Sequence, residues 1–197
     1  MKYNNKNITA YCMLGKNASS PILEIFTIGH STRSLEAFVN LLRTHNIGLL
    51  VDVRTIPRSR HNPQFNYETL DGALRQHGIN YLQMKSLGGL RHVRADSPNT
   101  GWGNASFQGY ADYMQTPEFA TAIQQLINIA HDTATAIMCA EALPWRCHRF
   151  LIADALTVRG IAVRHILSPT STKVHTLNPM ARIEGTRITY PGQLTLL

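Results

Sequence analysis

The sequence predicts an α/β fold with a mostly parallel sheet of about five strands. Short apolar strands alternate with amphipathic helices along the chain, as in consecutive βα units. Residues 49–53 are apolar on both faces, as a strand inside a parallel sheet requires. The helix predicted to begin after Thr116 carries its apolar residues on one face. We therefore expect a single-domain, three-layer, Rossmann-like fold, although the chain has neither a Walker A nor a G-x-G-x-x-G motif.

The first half of the chain contains three predicted strands and two helices. Ser34 is a good N-cap for the first helix, and Gly78 closes the second. The loop at 54–63 carries three arginines and follows the second strand directly. The elements in order are strand 22–28, the helix after Ser34, strand 49–53, helix 67–76 and strand 79–82.

The second half begins with a long irregular segment at 84–104, which is rich in Gly and Pro. Long ordered loops in small domains are usually functional. Thr116, Pro117 and Glu118 form a strong helix start, since they supply a cap, a proline in the first turn and an acid near the positive end of the dipole. The predicted elements are a short helix at 107–114, the helix after Thr116, strand 136–138, helix 147–158, strand 161–166 and a strand-like stretch at 187–190.

Composition sets limits on location and partners. Among 197 residues, 19 Lys and Arg against 12 Asp and Glu give a net charge of +7, which favours an anionic partner. Residues 1–21 are interrupted by Asn and Lys and predict a flexible extension rather than a signal peptide, so that residues 22–197 form the α/β domain. No stretch approaches the roughly 18 apolar residues of a membrane span. Three cysteines, an odd number, favour a reducing cytoplasm over a disulfide framework.

Reactive side chains follow the predicted strands where those strands end. Because the carboxyl ends of parallel strands meet at one edge of a sheet, these side chains are expected to share a cleft there. We expect an anion to be held by polar groups from the loops after the first three strands and from the helix after the fourth. This anion-binding set comprises Arg54, Arg58, Ser59, Arg149, Ser31, Gly88 and Gly89. Asp52 could take part in the site itself, and it could equally form an internal salt bridge that positions Arg54.

The candidate catalytic residues are Glu141, Cys139, Cys147 and His30. Cys147 is expected at or within the first turn of its helix, where unsatisfied N–H groups favour a thiolate or a bound anion. Glu141 follows a buried strand among apolar neighbours, a setting that raises carboxyl pKa values and suits proton transfer. A purely structural role stays open for each of them. Cys147 would pack its helix against the sheet, Glu141 would pair with Arg146, and His30 would hold its loop by a hydrogen bond.

Two familiar site patterns fit poorly. The spacing from Cys139 to Arg146 is one residue too long for a phosphatase-type loop. A metal site could recruit Cys139, Cys147, His148 and His30, but the spacing lacks the close pairs of known structural zinc sites, so we do not predict a metal. The cofactor is therefore left unassigned.

Several motifs together resemble the bacterial and archaeal family called domain of unknown function 488. The resemblance runs from about Ile25 to Tyr190 and extends to His175 and Pro191 near its end. It implies a single α/β domain without an established activity, and some relatives carry DNA-repair labels. The motifs that carry it are Thr27-Ile-Gly-His-Ser-Thr32, Asp52-Val-Arg54 with Pro57 and Ser59, Tyr81 with Leu87-Gly-Gly89, Phe107 with Tyr110-Ala111, Cys139-Ala-Glu141 and Cys147-His-Arg149.

The leading functional hypothesis is a cytoplasmic enzyme, a hydrolase or a transferase, that acts on a phosphorylated or nucleotide-like anion. In it, the arginines bind the anion, Glu141 or His30 moves protons, and Cys147 or Cys139 is a nucleophile or a ligand. A second hypothesis is a nucleic-acid-binding module, in which the arginine loop follows the backbone and Phe65, Tyr67 and Trp102 stack on bases. A third is a metal-binding protein. No membrane partner is expected, and the oligomeric state is left open.

Overall fold

A computed structural model describes residues 23–192, so the predicted extension at 1–21 lies outside the described residues. The chain has a mixed α/β structure built on a six-stranded sheet. Its strands are β1 (Glu24–Gly29), β2 (Leu49–Asp52), β3 (Asn80–Gln83), β4 (Thr135–Cys139), β5 (Ala162–Ser168) and β6 (Ser171–Val174).

Five helices connect these strands, and side-chain caps fix where three of them begin. Ser34 Oγ accepts from the Ala37 amide and Thr116 Oγ1 from the Phe119 amide, as the sequence predicts, and Asn104 caps a third helix. Gly78 follows the second helix with φ of 72°, a left-handed conformation that suits glycine. The helices are α1 (Leu35–Thr44), α2 (Tyr67–Gln76), α3 (Ala105–Tyr113), α4 (Pro117–Asp132) and α5 (Arg149–Thr157).

The order of the strands is β3-β2-β4-β1-β5-β6. The first five are parallel to their neighbours and β6 is antiparallel to β5, so the predicted mostly parallel sheet is confirmed, with one strand more than expected. This order differs from the 3-2-1-4-5-6 order of the standard dinucleotide-binding sheet, since β4 lies between β2 and β1. The loop after β4 is therefore flanked by the loops after β1 and β2.

The core is divided between the two faces of the sheet. Side chains alternate along each strand, so Leu50 of β2 packs with α1 and α2, while Leu49 and Val51 pack with α4 and α5. In β4, Ala136 and Met138 lie on the side of α1 and α2, and Ile137 and Cys139 lie on the side of α4 and α5. Cys139 is thus the last residue of a fully buried strand, held from both sides before the chain turns into the loop.

The long segment between β3 and α3 is irregular, as predicted, apart from a short 3₁₀ turn at Lys85–Leu87. Asp112 of α3 fixes it, because this buried carboxylate accepts from Ser97 Oγ at 2.6 Å, Asn99 Nδ2 at 2.7 Å and the Arg94 amide at 2.9 Å. The segment is therefore held in place as one wall of the sheet's carboxyl edge.

The C-terminal part of the chain was predicted least well. The predicted strand at 187–190 appears as β8 (Arg187–Thr189), paired with β7 (Arg182–Glu184) in a separate hairpin, while β6 and β7 were not predicted. Tyr190 is buried and donates to Asp154 Oδ2 at 2.8 Å, which anchors the tail to α5. Among the described helices, none has the length and apolarity needed to span a membrane.

Candidate functional site

A cavity of about 480 Å³ opens at the carboxyl edge of the sheet. Its walls come from the loops after β1, β2 and β4, from the segment after β3 and from the start of α3. The lining residues are His30, Arg54, Thr55, Ile56, Arg58, Ser59, Gly89, Leu90, Asn104, Ser106, Phe107, Cys139, Ala140, Glu141, Arg146, Cys147 and His148. Most of the side chains that the sequence placed at this edge therefore share one cleft.

The loops after β1 and β4 are joined by their backbones. The His30 amide donates to the Cys139 carbonyl at 3.1 Å, and the Ser31 amide donates to the Ala140 carbonyl at 2.8 Å. Gly29 packs so closely on the Glu141 carbonyl that a Cβ at this position would collide with it. Glycine at 29 is thus required by the approach of the two loops, which fixes Glu141 and His30 relative to each other.

Arg54 is held in one orientation by the Asp52 carboxylate. Its Nε lies 2.9 Å and 3.0 Å from the two carboxylate oxygens, its Nη2 lies 2.5 Å from Oδ2, and Nη2 also donates to the Phe65 carbonyl at 2.8 Å. Tyr81 donates to the same carboxylate at 2.6 Å. Burial opposes the charge of Arg54, but its hydrogen bonds with Asp52 raise the pKa of the guanidinium above its ordinary value. Of the two roles left open for Asp52, the salt bridge with Arg54 is present and buried.

His30 is neutral and its two ring nitrogens are engaged. Nδ1 lies 2.8 Å from the Ser31 carbonyl, which can only accept, so Nδ1 carries the proton and Nε2 accepts from Arg54 Nη1 at 3.3 Å. The ring stacks on Phe65 with a centroid separation of 4.2 Å. Burial, with a smaller contribution from Arg54, lowers the pKa of His30 to about 4. This arrangement orients Arg54, and proton transfer by His30 remains a prediction.

Cys139, Cys147 and His148 form a compact cluster on the cavity wall. The Nδ1 atom of His148 lies 3.6 Å from the Cys147 sulfur and 3.9 Å from the Cys139 sulfur. The other ring nitrogen, Nε2, lies 3.0 Å from the Val53 carbonyl, so Nε2 is protonated and Nδ1 presents its lone pair to the two thiols. Both thiols are buried and unpaired.

The two thiols differ in acidity because they share one site. Burial opposes ionisation of Cys147, but a hydrogen bond from the Cys139 thiol and the positive charge of Arg149 lower the pKa of Cys147 below its ordinary range. The Cys147 sulfur and burial raise the pKa of Cys139. One thiolate supported by one thiol is the arrangement that results.

The prediction that Cys147 lies in the first turn of its helix is wrong by two residues. A 3₁₀ turn at Pro144–Arg146 precedes it, Cys147 has extended backbone dihedrals, and α5 begins after His148, which is the N-cap. The thiol therefore lies beside the helix entrance, and its hydrogen-bond partners in the cluster set its acidity.

Three of the predicted anion-binding residues are not among those that line the cavity: Arg149, Ser31 and Gly88. Arg149 is 1% exposed and points inward, where it donates to Thr27 Oγ1 at 3.2 Å and to the Glu141 carbonyl. Gly88 packs on Thr55, while Gly89 packs on the ring of His148 and does line the cavity. Arg149 thus holds the loop after β4 from inside.

The remaining predicted residues are at the cavity mouth. Arg58 is 70% exposed and pairs with Glu68 at 2.6 Å. Ser59 accepts from the Asn62 amide and donates its own amide to Asn66. Glu141 is exposed, so the apolar neighbours that the sequence suggested do not bury it. Thr55, Ile56, Leu90 and the start of α3 were not predicted as lining, although the length of the segment at 84–104 pointed to this wall.

A buried chain of hydrogen bonds runs from Arg149 to Asp154. Thr27 Oγ1 lies 2.8 Å from His165 Nδ1, His165 Nε2 lies 3.0 Å from His175 Nδ1, and His175 Nε2 lies 2.8 Å from Asp154 Oδ1. The guanidinium can only donate and the carboxylate can only accept, so when each imidazole carries one proton every bond in the chain points from Arg149 towards Asp154. Sequence reasoning singled out Arg149 as an anion-binding residue, and Thr27 and His175 through the family resemblance. It did not predict that they are linked through His165 to Asp154.

The aromatic residues near the arginine loop are mostly occupied within the fold. Phe65 is fully buried under His30. Trp102 stacks on Phe107 at 4.8 Å and contacts Tyr190. Tyr67 is 43% exposed and meets Tyr81 edge-on. Of the three aromatics suggested for base stacking, Phe65 is therefore buried, Trp102 is partly buried with one face covered by Phe107, and Tyr67 is exposed.

Comparisons with known proteins identify the family and nothing closer. Neither the curated proteins nor the solved structures give a significant match to the chain. A family profile, described as domain of unknown function DUF488, matches residues 34–156, which include the strand ends and loops that carry Arg54, Glu141 and the Cys139–Cys147–His148 cluster. The sequence motifs and this match agree, and the chain belongs to the DUF488 family.

Proposed function

We propose that this protein is an enzyme that binds a phosphorylated or nucleotide-like anion in the cavity and acts on it beside the Cys139–Cys147–His148 cluster. The observation that carries the proposal is that Arg54, Arg58 and Arg146 line the same cavity as this cluster. Guanidinium groups recognise phosphate and carboxylate oxygens in a bidentate manner. The anion would thus lie within reach of the reactive groups.

Arg54 is the fixed anchor for the anion. Its Nε and Nη2 are bonded to Asp52 and Phe65, and of the Nη1 hydrogens only one has a partner among the described residues, His30. The other Nη1 hydrogen is free to bond an anion in the cavity. An anchor held this way loses little side-chain entropy on binding.

Arg58 and Arg146 supply adaptable charge. Among the residues that the structure describes, Arg58 bonds only to Glu68, in an exposed salt bridge. Such a salt bridge contributes little stability in water, so a phosphate can replace Glu68 as the partner of Arg58. Arg146 is exposed beside the cluster, and Ser59 adds a hydroxyl at the mouth. These groups would close on the anion from the solvent side.

Glu141 is the candidate for proton transfer. Its carboxylate lies at the exposed end of the loop after β4, and its backbone is fixed by Arg149 and by the contact with Gly29. A carboxylate on a fixed backbone at the mouth can exchange protons with both solvent and ligand. His30 then serves to orient Arg54.

A nucleic-acid-binding module is less well supported. Stacking on bases needs exposed aromatic faces beside the basic loop, but Phe65 is buried and one face of the partly buried Trp102 is covered by Phe107, which leaves Tyr67 as the exposed one of the three. A cavity of about 480 Å³ suits a small anion better than a polymer backbone. We further propose that residues 22–197 form one Rossmann-like domain, since the site lies at the carboxyl edge of a mostly parallel sheet. The odd number of cysteines supports a cytoplasmic location.

Anion titration tests the proposal. Inorganic phosphate and the nucleoside 5′-monophosphates would be titrated into the protein by calorimetry at low salt. We expect binding of at least one of them, weakened by roughly ten-fold or more in Arg58→Ala because a charge-assisted hydrogen bond is lost. Arg60→Ala is the matched control, since Arg60 is exposed on the same loop and is not among the cavity-lining residues. No binding to the wild type, or equal losses in the two variants, would contradict the proposal.

A further inference from the structure

The cluster on the cavity wall has the composition and spacing of a metal centre. The ligand atoms of Cys139, Cys147 and His148 all lie within 4.8 Å of one another. The two sulfur-to-nitrogen distances are 3.6 Å and 3.9 Å. In a tetrahedral zinc site with bonds of about 2.3 Å to sulfur and about 2.0 Å to nitrogen, these separations are roughly 3.5 Å. The sulfur-to-nitrogen separations need to change by less than about half an ångström, and the two sulfurs, which lie within 4.8 Å of each other, need to be about 3.8 Å apart.

The imidazole of His148 is already oriented as a metal ligand. Its Nε2–H donates to the carbonyl of Val53, the residue that follows β2. The lone pair of Nδ1 therefore faces the thiols. Histidines that bind metals typically donate their other ring N–H to a carbonyl or carboxylate in this way. Gly89 packs over the face of this ring, where a Cβ would collide with Nδ1, so the position of the imidazole requires glycine at 89.

The fold brings the two sulfurs together from different parts of the core. Cys139 is fixed at the end of β4 and Cys147 at the entrance of α5, so the two sulfurs are positioned by separate elements. Sequence spacing hides this convergence, because the loop between the two cysteines includes the 3₁₀ turn that folds Cys147 back towards Cys139.

We propose that Cys139, Cys147 and His148 bind one divalent cation of the zinc class, with the fourth coordination position open to the cavity. Two thiolates and an imidazole select borderline-soft metals over magnesium or calcium. Three protein ligands with an open position are typical of catalytic rather than structural zinc sites. His30 is not a ligand, since both of its ring nitrogens are bonded to other groups. The inference goes beyond anion binding and stands independently of it.

Cobalt titration of the reduced, chelator-treated protein tests the site. Cobalt(II) reports thiolate ligation by sulfur-to-metal charge-transfer absorption and tetrahedral geometry by its visible bands. We expect one cobalt ion per chain in the wild type, displaced by zinc, and loss of this signal in Cys139→Ser, Cys147→Ser and His148→Gln. Cys12→Ser, the remaining cysteine of the chain, is the matched control and should bind like the wild type. A wild type that binds no cobalt, or a signal that survives in Cys147→Ser, overturns the proposal.

A second measurement avoids variants that fail to fold. X-ray absorption of the zinc-loaded wild-type protein reports the ligands directly. We expect two sulfur ligands and two lighter ligands, the second being solvent. A first shell without sulfur overturns the proposal even if every cysteine variant is unstable. Anion titrations on the same wild-type protein, with and without zinc, would show whether anion binding is present or absent independently of metal binding.

Discussion

Arg54 and Asp52 illustrate how a single pair of residues sets the floor of the cavity. The spacing of two residues at the end of a buried strand left two roles open for Asp52, and in the structure its carboxylate pairs with the guanidinium, with the two side chains 0% and 6% exposed. The inward direction of Arg149 could not be predicted, because its position in the first turn of a helix fits an anion-binding role equally well. Only the packing of β1 against the loop after β4 decides whether Arg149 points inward or reaches an anion.

Removal of the carboxylate should destabilise the fold. Asp52→Asn leaves the Arg54 charge buried without a counter-charge, and breaking a buried pair in this way costs about 3–5 kcal/mol. Asp71→Asn, which breaks the exposed pair with Arg75 on α2, should cost about 0.5 kcal/mol or less. Urea denaturation of the two variants measures both values. Similar losses in the two would show that the Asp52 pair is not buried as described.

His30 should make the stability of the protein depend on pH. Its pKa is about 4 in the folded protein against 6.5 for the free side chain, so the unfolded chain holds more protons between these values. The free energy of unfolding should therefore fall as the pH falls from about 6.5 to about 4. His165, with a pKa lowered to about 3 by burial, acts in the same direction. Urea midpoints across this range should fall less steeply in His30→Gln than in the wild type, and equal slopes would rule out the assignment to His30.

At the scale of elements, local patterns predicted most strands and helices but not how they pair. The apolar period of α4 and its Thr116 cap are local, and so is the continuous apolar character of β2, so both were predicted within a residue or two. The insertion of β4 between β1 and β2 depends on contacts far apart in sequence, which no period encodes. The strands β6 and β7, which were not predicted, are short and largely exposed, so they carry little hydrophobic signal, whereas β8 buries Ile188 and was predicted.

The contact between the loops after β1 and β4 should tolerate no side chain. Gly29→Ala places a Cβ against the Glu141 carbonyl, which must move, and we expect the free energy of unfolding to fall by roughly 1–3 kcal/mol. Gly72→Ala is a matched control, because a Cβ there meets nothing within 4 Å and α2 should gain about 0.5–1 kcal/mol. Chemical denaturation of both variants gives the sign of each effect. A neutral Gly29→Ala would mean that the loops do not touch.

At the scale of the whole molecule, the buried chain from Arg149 to Asp154 links the candidate site to the C-terminal part of the protein. Arg149 holds the Glu141 carbonyl at one end, and Asp154 binds His175, the Asn178 amide and Tyr190 at the other. The charges at its two ends have opposite signs, and the intervening dipoles are aligned with them. The chain thus stabilises two buried charges that lie apart, and it ties the tail to the cavity wall.

The tail should therefore contribute to stability through its last hydrogen bond. Tyr190→Phe removes a donor from the buried Asp154 carboxylate, and a hydrogen bond to a charged group contributes roughly 1.5–3 kcal/mol. Tyr113→Phe removes a hydroxyl that donates to the Ser86 carbonyl at a more exposed position, and should cost about 1 kcal/mol or less. Thermal and urea unfolding would compare the two. If Tyr190→Phe were the milder variant, the chain would not be the anchor of the tail.

The central claim is that loops far apart in sequence gather into one cavity, where an anion meets the Cys139–Cys147–His148 cluster. The most direct measurement is a crystal structure of the protein grown or soaked with inorganic phosphate or a nucleoside 5′-monophosphate. We expect phosphate density between Arg54 and Arg58, inside the cavity lined by the cluster, and its loss in Arg58→Ala crystals. Density for the anion elsewhere on the surface, or an empty cavity with these side chains turned apart, would contradict the account.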